Sequence, residues 1–588
     1  MGVFAVLIQI KELLGNQEIQ RQTLQVGVSI NECLQIPERR IETKTLVAAY
    51  LLHKVRVSSK PFSMSYQDIQ NGEAGVSDEM RIAVREYIPE SSWEMLSKLL
   101  PQYAPDIFAA TVFLPLTDSE RTDGFVTPEC LVDLAQHLLR CQRGEQVADV
   151  GCGTGTFIVN THMRVTDVEF VGYEINSSRY LVAMMRSELL GKNITIHLQD
   201  VFDLANDLED MPKFDKIFSN YPFGMRLRNL GSSGKYLEQI EKSYPDISKS
   251  TSSDWVFHAL LCDLLKEGGK AVGIMTNGST WNGIDLAARK HFVEAGLVEC
   301  VISMPAKMFS GTNIPTSMIV LSRGNQSVRL VDASETYQQG RRQNEFSEED
   351  IEKIVSATQA DGENSKLISL EELRKNEYSL NLSRYRDNDV QYENGVTFKS
   401  IIKNITRGAA CTASQMDEMV SEKETNMQFL MLSNIQNGII DEKLPYLKEI
   451  DEKLAKYCVK NNSLILSKNG SPFKIAVATV QDEQKILANG NLYVIELDET
   501  KANPYYIKAF LESEQGIAAL KRITVGTTIP SIGVDKLKNL IVPLPALEEQ
   551  NQIATKYLAV LDEISVLKMK LENALSRLNH VFDEEVEG

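Results

Sequence analysis

The sequence predicts an α/β domain with a mostly parallel sheet, preceded by a helical domain and followed by an α+β domain that ends in one long helix. Three observations predict this architecture. In the middle of the chain, short apolar runs alternate with helical patterns, which is typical of parallel strands joined by crossover helices. A glycine-rich turn follows the first of these runs directly. The C-terminal segment repeats apolar residues at spacings of three and four, as a long amphipathic helix does.

The length of the chain predicts several domains. A chain of 588 residues is too long for one hydrophobic core, because domains average roughly 150 residues. Shifts in sequence pattern place a helical domain at residues 1–120 and the α/β domain at 121–390. The α+β domain then occupies 395–545, and the terminal helix occupies 546–588.

Composition and charge narrow the class of protein. Hydrophobic content of 43% with 24% charged residues is ordinary for a soluble globular protein. The formal net charge of -18 argues against a protein that coats nucleic acid, although DNA binding needs only a local basic surface. The eight cysteines form no C-x-x-C pair and the seven histidines show no metal-binding spacing, so we expect reduced thiols and no metal. No apolar run is long enough to span a bilayer, so we expect no membrane partner and a cytoplasmic location.

The first 120 residues show helical periodicity but no group of residues suited to catalysis. Apolar side chains at Met80, Val84 and Ile88 are one example of the helical spacing. We interpret this region as a helical domain that serves packing and docking.

The pattern changes after Asp123. Thr127 and Pro128 precede a helical pattern, which predicts Thr127 as the N-cap and Pro128 as the first helical residue. The apolar run at 146–150 predicts a buried strand that leads into Asp-Val-Gly-Cys-Gly-Thr-Gly at 149–155. Such a turn lets the backbone approach a cofactor closely, but it also serves dinucleotides, so alone it does not choose between cofactors.

The following strands each end in a polar residue suited to binding. The strand at 168–173 runs into Glu174, at the distance from the glycine turn where an acid accepts hydrogen bonds from ribose hydroxyls. The strand at 194–198 is followed by Asp200, and the next strand ends in the tetrad Asn-Tyr-Pro-Phe at 220–223. Because ligands bind outside the carboxyl ends of parallel strands, we expect these residues to line one site.

The tetrad suits methylation of an exocyclic amine on a nucleobase. Such an amine is a poor nucleophile because its lone pair is delocalised into the ring. Acceptors for its two hydrogens would be the Asn220 side-chain oxygen and the backbone carbonyl of Tyr221, and Phe223 would stack on the extruded base. A nicotinamide dehydrogenase would have the turn and the acid but no use for the tetrad. The order of motifs therefore favours a Rossmann-like class I methyltransferase.

The four residues Asn220, Tyr221, Pro222 and Phe223 resemble the Asn/Asp-Pro-Pro-Tyr/Phe tetrad of amino-methyltransferases that use S-adenosylmethionine. The departure is Tyr221, where the family has proline. The carbonyl acceptor survives the exchange, but φ at 221 is no longer locked and Asn220 no longer precedes a proline. Such a lock is worth roughly 0.4–1 kcal/mol, so we expect weakened preorganisation. A tyrosine ring is also large enough to obstruct the pocket.

The resemblance implies that the cofactor is S-adenosyl-L-methionine. Its contacts would come from Thr127, Pro128, Asp149, Gly151, Gly153, Glu174 and Asp200. In this arrangement Thr127 and Pro128 would close over the methionine end, and Asp200 would lie near the cofactor's adenine or the target amine. The sulfonium is already activated, so the resemblance implies no metal.

Further motifs resemble a type I restriction-modification system. Residues 304–309 and 313–317 resemble the late sheet hairpin of its adenine methyltransferase (modification) subunit, and this resemblance covers residues 1–385. From residue 396 the chain resembles one half of a type I DNA specificity subunit. The matching segments there are 400–402, 407–408, 432–438, 463–470, 526–532, 541–545 and 548–550. This resemblance implies that 395–545 is a DNA target recognition domain.

Contacts to DNA would come from polar and basic loops of that domain, with phosphate contacts commoner than base readout. The candidates are Lys468, Asn469, Lys474, Lys521, Arg522, Thr527 and Thr528.

The terminal helix carries an apolar seam at an average spacing of 3.5 residues, the repeat of a coiled coil. Its members are Ile553, Tyr557, Val560, Ile564, Leu567, Leu571, Ala574 and Leu578. By resemblance, a full specificity subunit separates two recognition domains by paired long helices, whereas this chain has one of each. We therefore expect homodimerisation through this helix or pairing with a specificity or modification partner. The alternative is that the helix packs back on its own methyltransferase domain.

Three functions follow from these patterns. The first is a sequence-specific DNA adenine N6-methyltransferase that acts on duplex DNA by base flipping, within a restriction-modification or related defence system. The second is a DNA-binding module with a weakened or inactive methyltransferase fold, as Tyr221 permits. The third, methylation of RNA or of a protein glutamine, is disfavoured by the specificity-like half. The sequence shows no nuclease, so any cleavage would require a separate restriction subunit.

Overall fold

The computed structural model divides the chain into two compact units, Met1–Tyr385 and Arg386–Gly588. The residues it describes are 16–37, 40–117, 126–165, 167–206, 211–226, 234–245, 247, 252–385, 392–411, 413–441, 443–470, 472–525 and 531–586. Each unit is described by itself below. The finer division into four domains stays a prediction.

The first unit begins with a group of helices, as the periodicity of the N-terminal region predicts. These are α1 Gln17–Leu34, α2 Thr43–Arg56, α3 Tyr66–Gln70, α4 Asp78–Tyr87, α5 Glu90–Ser97 and α6 Pro105–Thr111. Helix α2 lies at the centre, because α1 and α6 pack against it and ten of its fourteen residues are buried. Side-chain caps at Asn16, Ser65 and Ser77 mark where α1, α3 and α4 begin.

A nine-stranded sheet forms the centre of the first unit. Its strands, with two short ones outside it, are β1 Gln146–Val150, β2 Glu169–Glu174, β3 Ile194–Leu198, β4 Phe214–Ser219, β5 Leu265–Thr276, β6 Val298–Ser303, β7 Thr316–Leu321, β8 Ser327–Asp332, β9 Gln338–Gln339, β10 Asn344–Glu345 and β11 Ser365–Ser369. The order across the sheet is β11-β8-β6-β7-β5-β4-β1-β2-β3. Strands β1 to β5 pair in parallel, whereas β7 runs antiparallel between β5 and β6. This confirms the predicted α/β fold with a mostly parallel sheet.

Helices connect the strands and cover the sheet. They are α7 Glu129–Leu139, α8 Thr156–Arg164, α9 Ser177–Leu190, α10 Gly234–Ile240, α11 Asp254–Asp263, α12 Leu286–Glu294, α13 Glu348–Ala357 and α14 Leu370–Lys375. Strands β1 and β7 are almost wholly buried, which explains why they read as continuous apolar runs rather than alternating patterns. Strands β2 and β3 lie on one side of β1, whereas β4 and β5 lie on its other side. The strand order therefore reverses between β1 and β4, and the site lies at this reversal.

The second unit mixes short strands with helices. Its strands are β12 Gly395–Thr397, β13 Ile402–Arg407, β14 Met427–Leu430, β15 Ile435–Gln436, β16 Ile439–Ile440, β17 Cys458–Val459, β18 Leu464–Ser467, β19 Ile475–Val477, β20 Lys485–Ala488, β21 Leu492–Leu497, β22 Thr524–Val525, β23 Ser531–Ile532 and β24 Ile541–Pro543. Its helices are α15 Ala413–Met419, α16 Pro504–Glu512, α17 Glu514–Ile523, α18 Val534–Lys538 and α19 Leu547–Val586. The two largest sheets have the orders β13-β21-β18-β19 and β14-β20-β17.

Helix α19 is fixed to α16 at its root. Gln550 is fully buried: its Nε2 donates to the carbonyls of Lys501 (3.0 Å) and Pro545 (2.8 Å), and its Oε1 accepts from the N–H of Asn503 (2.9 Å). Two turns later the hydroxyl of Tyr557 binds Lys508 and Glu512 of α16.

Beyond this root, apolar side chains of the predicted seam lie in solvent. Val560 is 55% exposed, Leu567 56% and Leu571 60%. The seam residue Leu578 lies among side chains that the structure does not describe. The seam is therefore open over much of its described length, and pairing through it stays a proposal.

Two further features concern the cysteines and the apolar character of the helices. All eight cysteines are free thiols. Within the described residues, no helix combines the length and apolar character needed to cross a membrane.

We expect Gln550→Ala to destabilise the second unit by about 2–4 kcal/mol, because it leaves a buried amide N–H and two carbonyls without their partner. Urea denaturation of the full chain followed by circular dichroism measures this change. Gln552→Ala, at an exposed position of the same helix, is the control and should change stability by less than about 0.5 kcal/mol. Equal effects of the two substitutions would contradict the role given to Gln550.

Candidate active site

A cavity of about 530 Å³ opens at the carboxyl ends of β1 to β4. This lies within the size range of small-molecule sites, at the point where the strand order reverses. The structure brings eight of the predicted site residues to its wall: Thr127, Gly151, Gly153, Glu174, Asp200, Asn220, Tyr221 and Pro222. Three others do not line it: Pro128, Asp149 and Phe223. Pro128 borders a neighbouring cavity that shares Thr127.

The glycine turn between β1 and α8 forms one wall. Gly151 and Gly153 have φ values of 76° and 56°, in the left-handed region that side chains disfavour. The N–H groups of Gly151 and Cys152 both donate to the carbonyl of Tyr173 at 2.9 Å, which ties the turn to the end of β2.

A buried arginine holds the same turn from behind. The guanidinium of Arg186, on α9, donates to the carbonyls of Thr154 (2.9 Å), Val112 (3.1 Å) and Leu114 (2.9 Å). Burial lowers the pKa of Arg186 to about 10, which still leaves it charged near neutrality. The turn is therefore anchored to the N-terminal helices through one side chain.

Glu174 is held in place at the end of β2. Its Oε2 accepts from the N–H of Gly153 at 2.8 Å, and its Oε1 accepts from the N–H of Asn176 at 2.7 Å. A carboxylate accepts about four hydrogen bonds, so this fixed group retains capacity for a ligand with hydroxyl groups.

Asp149 lies behind the wall rather than in it. Its side chain is buried, and burial together with the nearby Glu174 raises its pKa well above the usual range. The thiol pKa of Cys152 is raised by burial and by the same two carboxylates. Two acids so close in a buried place favour a positively charged ligand nearby.

Thr127 does not cap a helix, so that prediction is wrong. Helix α7 begins at Glu129 with Pro128 as its N-cap and without a side-chain cap bond. Instead the Thr127 hydroxyl accepts from Nδ2 of Asn220 at 2.9 Å. This bond orients the Asn220 amide, which is what a precisely aimed acceptor requires.

Apolar side chains complete the cavity beside Asp200. The carboxylate of Asp200 accepts from the N–H of Phe202 at 3.0 Å. Phe202 is buried against Tyr236 and Phe257 and also lines the cavity, so it serves both the core and the site. The side chain of Ile175, 68% exposed, lies at the same wall. Sequence analysis missed Ile175, although its position directly after Glu174, at the end of a predicted strand, was the available signal.

The ring of Tyr221 does not obstruct the site. It stacks on Phe257 at a centroid distance of 4.2 Å, and its hydroxyl donates to the carbonyl of Asp254 at 3.1 Å. The cavity described above exists with this ring in place, so the ring does not fill it. Phe223 is buried and packs on Phe309 at 5.3 Å, away from the described wall, so its stacking on a base stays a prediction.

Sequence analysis also missed Asp254. Its carboxylate is fully buried and accepts from the N–H groups of Gly224 (2.8 Å) and Thr276 (3.0 Å), so it joins the tetrad loop to the end of β5. An aspartate at the head of an apolar helical run was the available signal.

The candidate DNA contacts lie in the second unit. Lys468 and Asn469 follow β18, and Asn469 pairs with Ser531 through an isolated bridge. Lys474 donates its ammonium to the carbonyl of Leu432 at 2.9 Å. The loop assignment of Lys521 and Arg522 is wrong, because both lie on α17, which the Ser513 side chain caps. Thr527 and Thr528 lie outside the described residues.

The strand order and the position of the cavity give the first unit the fold of the class I methyltransferases. Residues 116–394 match the family model "N-6 DNA Methylase". Residues 419–577 match "Type I restriction modification DNA specificity domain". One part of the chain is therefore similar to N-6 DNA methylases, and a later part is similar to type I specificity domains.

Named proteins are similar to the methylase-like part and to the specificity-like part of the chain. The methylase subunit of the type I restriction enzyme MjaVII from Methanocaldococcus jannaschii is 26% identical over 388 residues, 57% of this chain and 65% of that protein. The putative MjaX specificity subunit of the same organism is 31% identical over 160 residues, 26% of this chain and 36% of that protein. The chain thus spans less than two thirds of either relative. The type IIG restriction endonuclease BpuSI shares the fold, with a TM-score of 0.50, 13% identity, and coverage of 91% of this chain and 74% of that one.

We expect Asp149→Asn to raise the melting temperature of the ligand-free protein by about 2 °C or more at pH 8 and to weaken binding of S-adenosylmethionine. The folded-state pKa of Asp149 is raised, so its contribution to stability is fully present below the unfolded pKa and is lost as pH rises through the folded pKa. The variant removes that loss. Scanning fluorimetry at pH 5 and pH 8 and calorimetric titration measure both effects. Asp203→Asn, at an exposed site, is the control; a lower melting temperature for Asp149→Asn at pH 8 would contradict the argument.

Proposed function

We propose that this chain transfers a methyl group from S-adenosylmethionine to N6 of adenine in duplex DNA, at a sequence read by its second unit. One observation carries the proposal: the tetrad that begins with Asn220 follows β4 and borders the same cavity as the glycine turn and Glu174. The match to the N-6 DNA Methylase family supports the choice of adenine.

The residues around the cavity fit this cofactor. When bound, S-adenosylmethionine supplies a methyl group on a sulfonium that needs no metal for activation. Glu174 would accept from ribose hydroxyls, and the turn of Gly151 and Gly153 would let the ligand approach the backbone. Ile175 and Phe202 would provide the apolar surface for its adenine ring.

The tetrad would prepare the target amine. The target adenine leaves the helix stack, because N6 is out of reach inside a duplex. The Asn220 oxygen and the carbonyl of Tyr221 would then accept the two N–H bonds of the amine, which directs its lone pair toward the methyl group. Thr127 fixes the Asn220 amide for this task. Phe223 would stack on the extruded base after its ring moves away from Phe309, on which it packs in the structure.

Sequence recognition is assigned to the second unit because it matches a type I specificity domain. Among the described residues, the candidates for phosphate contacts are Lys468, Asn469, Lys474, Lys521 and Arg522. We further propose that the protein acts within a restriction-modification or related defence system, in which a separate subunit would supply any nuclease.

Labelled S-adenosylmethionine and genomic DNA lacking methylation test this function. We expect label in N6-methyladenine after nucleoside analysis, and a fall of about 10²–10³-fold in the rate for Asn220→Ala, because one preorganised polar contact to the reacting group is lost. Asn404→Ala, at an exposed position in the second unit, is the control and should leave the rate unchanged. Cofactor binding without label in DNA would contradict the proposal.

The open seam of α19 supports pairing with a second copy of this chain. A lone exposed apolar stripe on a long helix is covered when two such helices wind together, and a chain with one recognition domain would gain a second. A dimer of this kind would recognise a two-part DNA site whose symmetry mirrors that of the protein.

Analytical ultracentrifugation of the full chain tests this pairing. We expect a dimer at micromolar concentration, and a monomer for the double substitution Leu567→Glu and Leu571→Glu, because two charges would be buried in the seam. Glu563→Gln is an exposed control on the same helix and should leave the dimer intact. A monomeric wild type would exclude homodimerisation and favour a separate partner subunit.

A further inference from the structure

The side chain of Tyr221 is held against α11 in a single orientation. It is 2% exposed, and its ring lies parallel to that of Phe257, with 6° between the planes. The ring of Tyr221 also meets that of His258 edge-on, at a centroid distance of 5.4 Å and with 81° between the planes. A ring confined by one stacked and one perpendicular neighbour cannot rotate without moving both.

The Tyr221 hydroxyl adds a polar anchor at the same place. It donates to the carbonyl of Asp254 at 3.1 Å and lies 3.0 Å from Nδ1 of His258. Burial raises the pKa of the Tyr221 phenol well above its usual range and lowers the pKa of His258 to about 4. Near neutral pH the contact therefore joins two uncharged groups.

The other side of the tetrad is fixed by the Asp254 carboxylate. Its Oδ1 accepts from the N–H of Gly224 at 2.8 Å. Its Oδ2 accepts from the N–H (3.0 Å) and hydroxyl (2.6 Å) of Thr276 and from the hydroxyl of Ser279 (2.9 Å). The loop after β4 and the end of β5 thus depend on one buried side chain.

The sheet leaves space for this arrangement at Gly273. A Cβ at Gly273, on β5, would lie 2.8 Å from Nε2 of His258. Any larger residue there would require the imidazole to move. The contact between Tyr221 and His258 is therefore accommodated by the sheet as well as by the helix.

We propose that Tyr221, His258 and Asp254 form a clamp that positions the tetrad backbone and takes the place of the proline ring that is absent at 221. The clamp holds residue 221 through its side chain and residue 224 through its N–H, and the ring of Pro222 restricts the backbone between them. The carbonyl of Tyr221, the second acceptor for the target amine, lies within this fixed span. The inference rests on the proposed function, which gives that carbonyl its role. The three side chains of the clamp act by positioning and do not touch the reacting atoms; only the backbone carbonyl of Tyr221 meets the target amine.

The substitution Tyr221→Phe tests the role of the hydroxyl apart from that of the ring. It keeps the stack on Phe257 and removes the bond to Asp254. The matched control is Tyr244→Phe, because Tyr244 is also buried and donates its hydroxyl to α11, to the carbonyl of Ala259 (3.3 Å) and to the carboxylate of Asp263 (2.8 Å).

Hydrogen exchange on the full chain is the first measurement. We expect the Gly224 amide to exchange about two- to tenfold faster in Tyr221→Phe than in wild type, and to be unchanged in Tyr244→Phe. This measurement needs no methyl transfer, so it tests whether the clamp holds the tetrad backbone even if the wild type modifies no DNA. Unchanged exchange in Tyr221→Phe would overturn the proposal.

Methyl transfer to unmethylated genomic DNA at saturating cofactor is the second measurement. We expect Tyr221→Phe to lower the maximal rate at least about tenfold while the dissociation constant of S-adenosylmethionine changes less than about twofold, because misplaced reacting groups cost rate rather than cofactor affinity. Tyr221→Pro, which restores a ring restraint, should transfer faster than Tyr221→Ala. Equal rates for wild type and Tyr221→Phe, or a Tyr221→Pro variant no faster than Tyr221→Ala, would overturn the clamp.

Discussion

The site depends on the parallel pairing of β1 with β4. In this register Asp149 lies beside Phe218, so the glycine turn and the tetrad leave the sheet at the same edge. The hydroxyl of Ser219 donates to the carbonyl of Val150 at 2.6 Å and joins the two strand ends just before they diverge. A shift of one residue in this register would turn every side chain of β4 to the opposite face and separate the two halves of the cavity.

The central strands and the order of their polar ends could be predicted from the sequence, because both are local. An apolar run predicts its own strand, and the residue that follows it is adjacent in the chain. The role of Thr127 could not be predicted, because its partner Asn220 is 93 residues away and competes with the local capping pattern. The assignment of Lys521 to a loop failed for a different reason. The helix that contains it is short and amphipathic, and its N-cap, Ser513, was not recognised.

Tyr221 illustrates how one restraint is exchanged for another. A proline ring at this position would contribute roughly 0.4–1 kcal/mol by restricting the unfolded chain. A hydrogen bond in a folded protein contributes about 0.5–1.5 kcal/mol, a comparable amount, but only where the partners are already fixed. Asp254 and His258 meet that condition because they lie on a buried helix that is itself packed against β5. The sequence could not disclose this exchange, since Tyr221 and His258 are 37 residues apart.

The three bonds of Arg186 limit how the protein can be dissected. Two of its acceptors, Val112 and Leu114, belong to the chain just after the N-terminal helices, and the third, Thr154, belongs to the glycine turn. A fragment that begins near residue 120 would retain the guanidinium but lose two of its three partners, leaving a buried charge poorly satisfied beside the cavity wall. The helical segment and the nine-stranded sheet therefore share one buried charge, and a boundary placed between them would have to supply that charge with new partners.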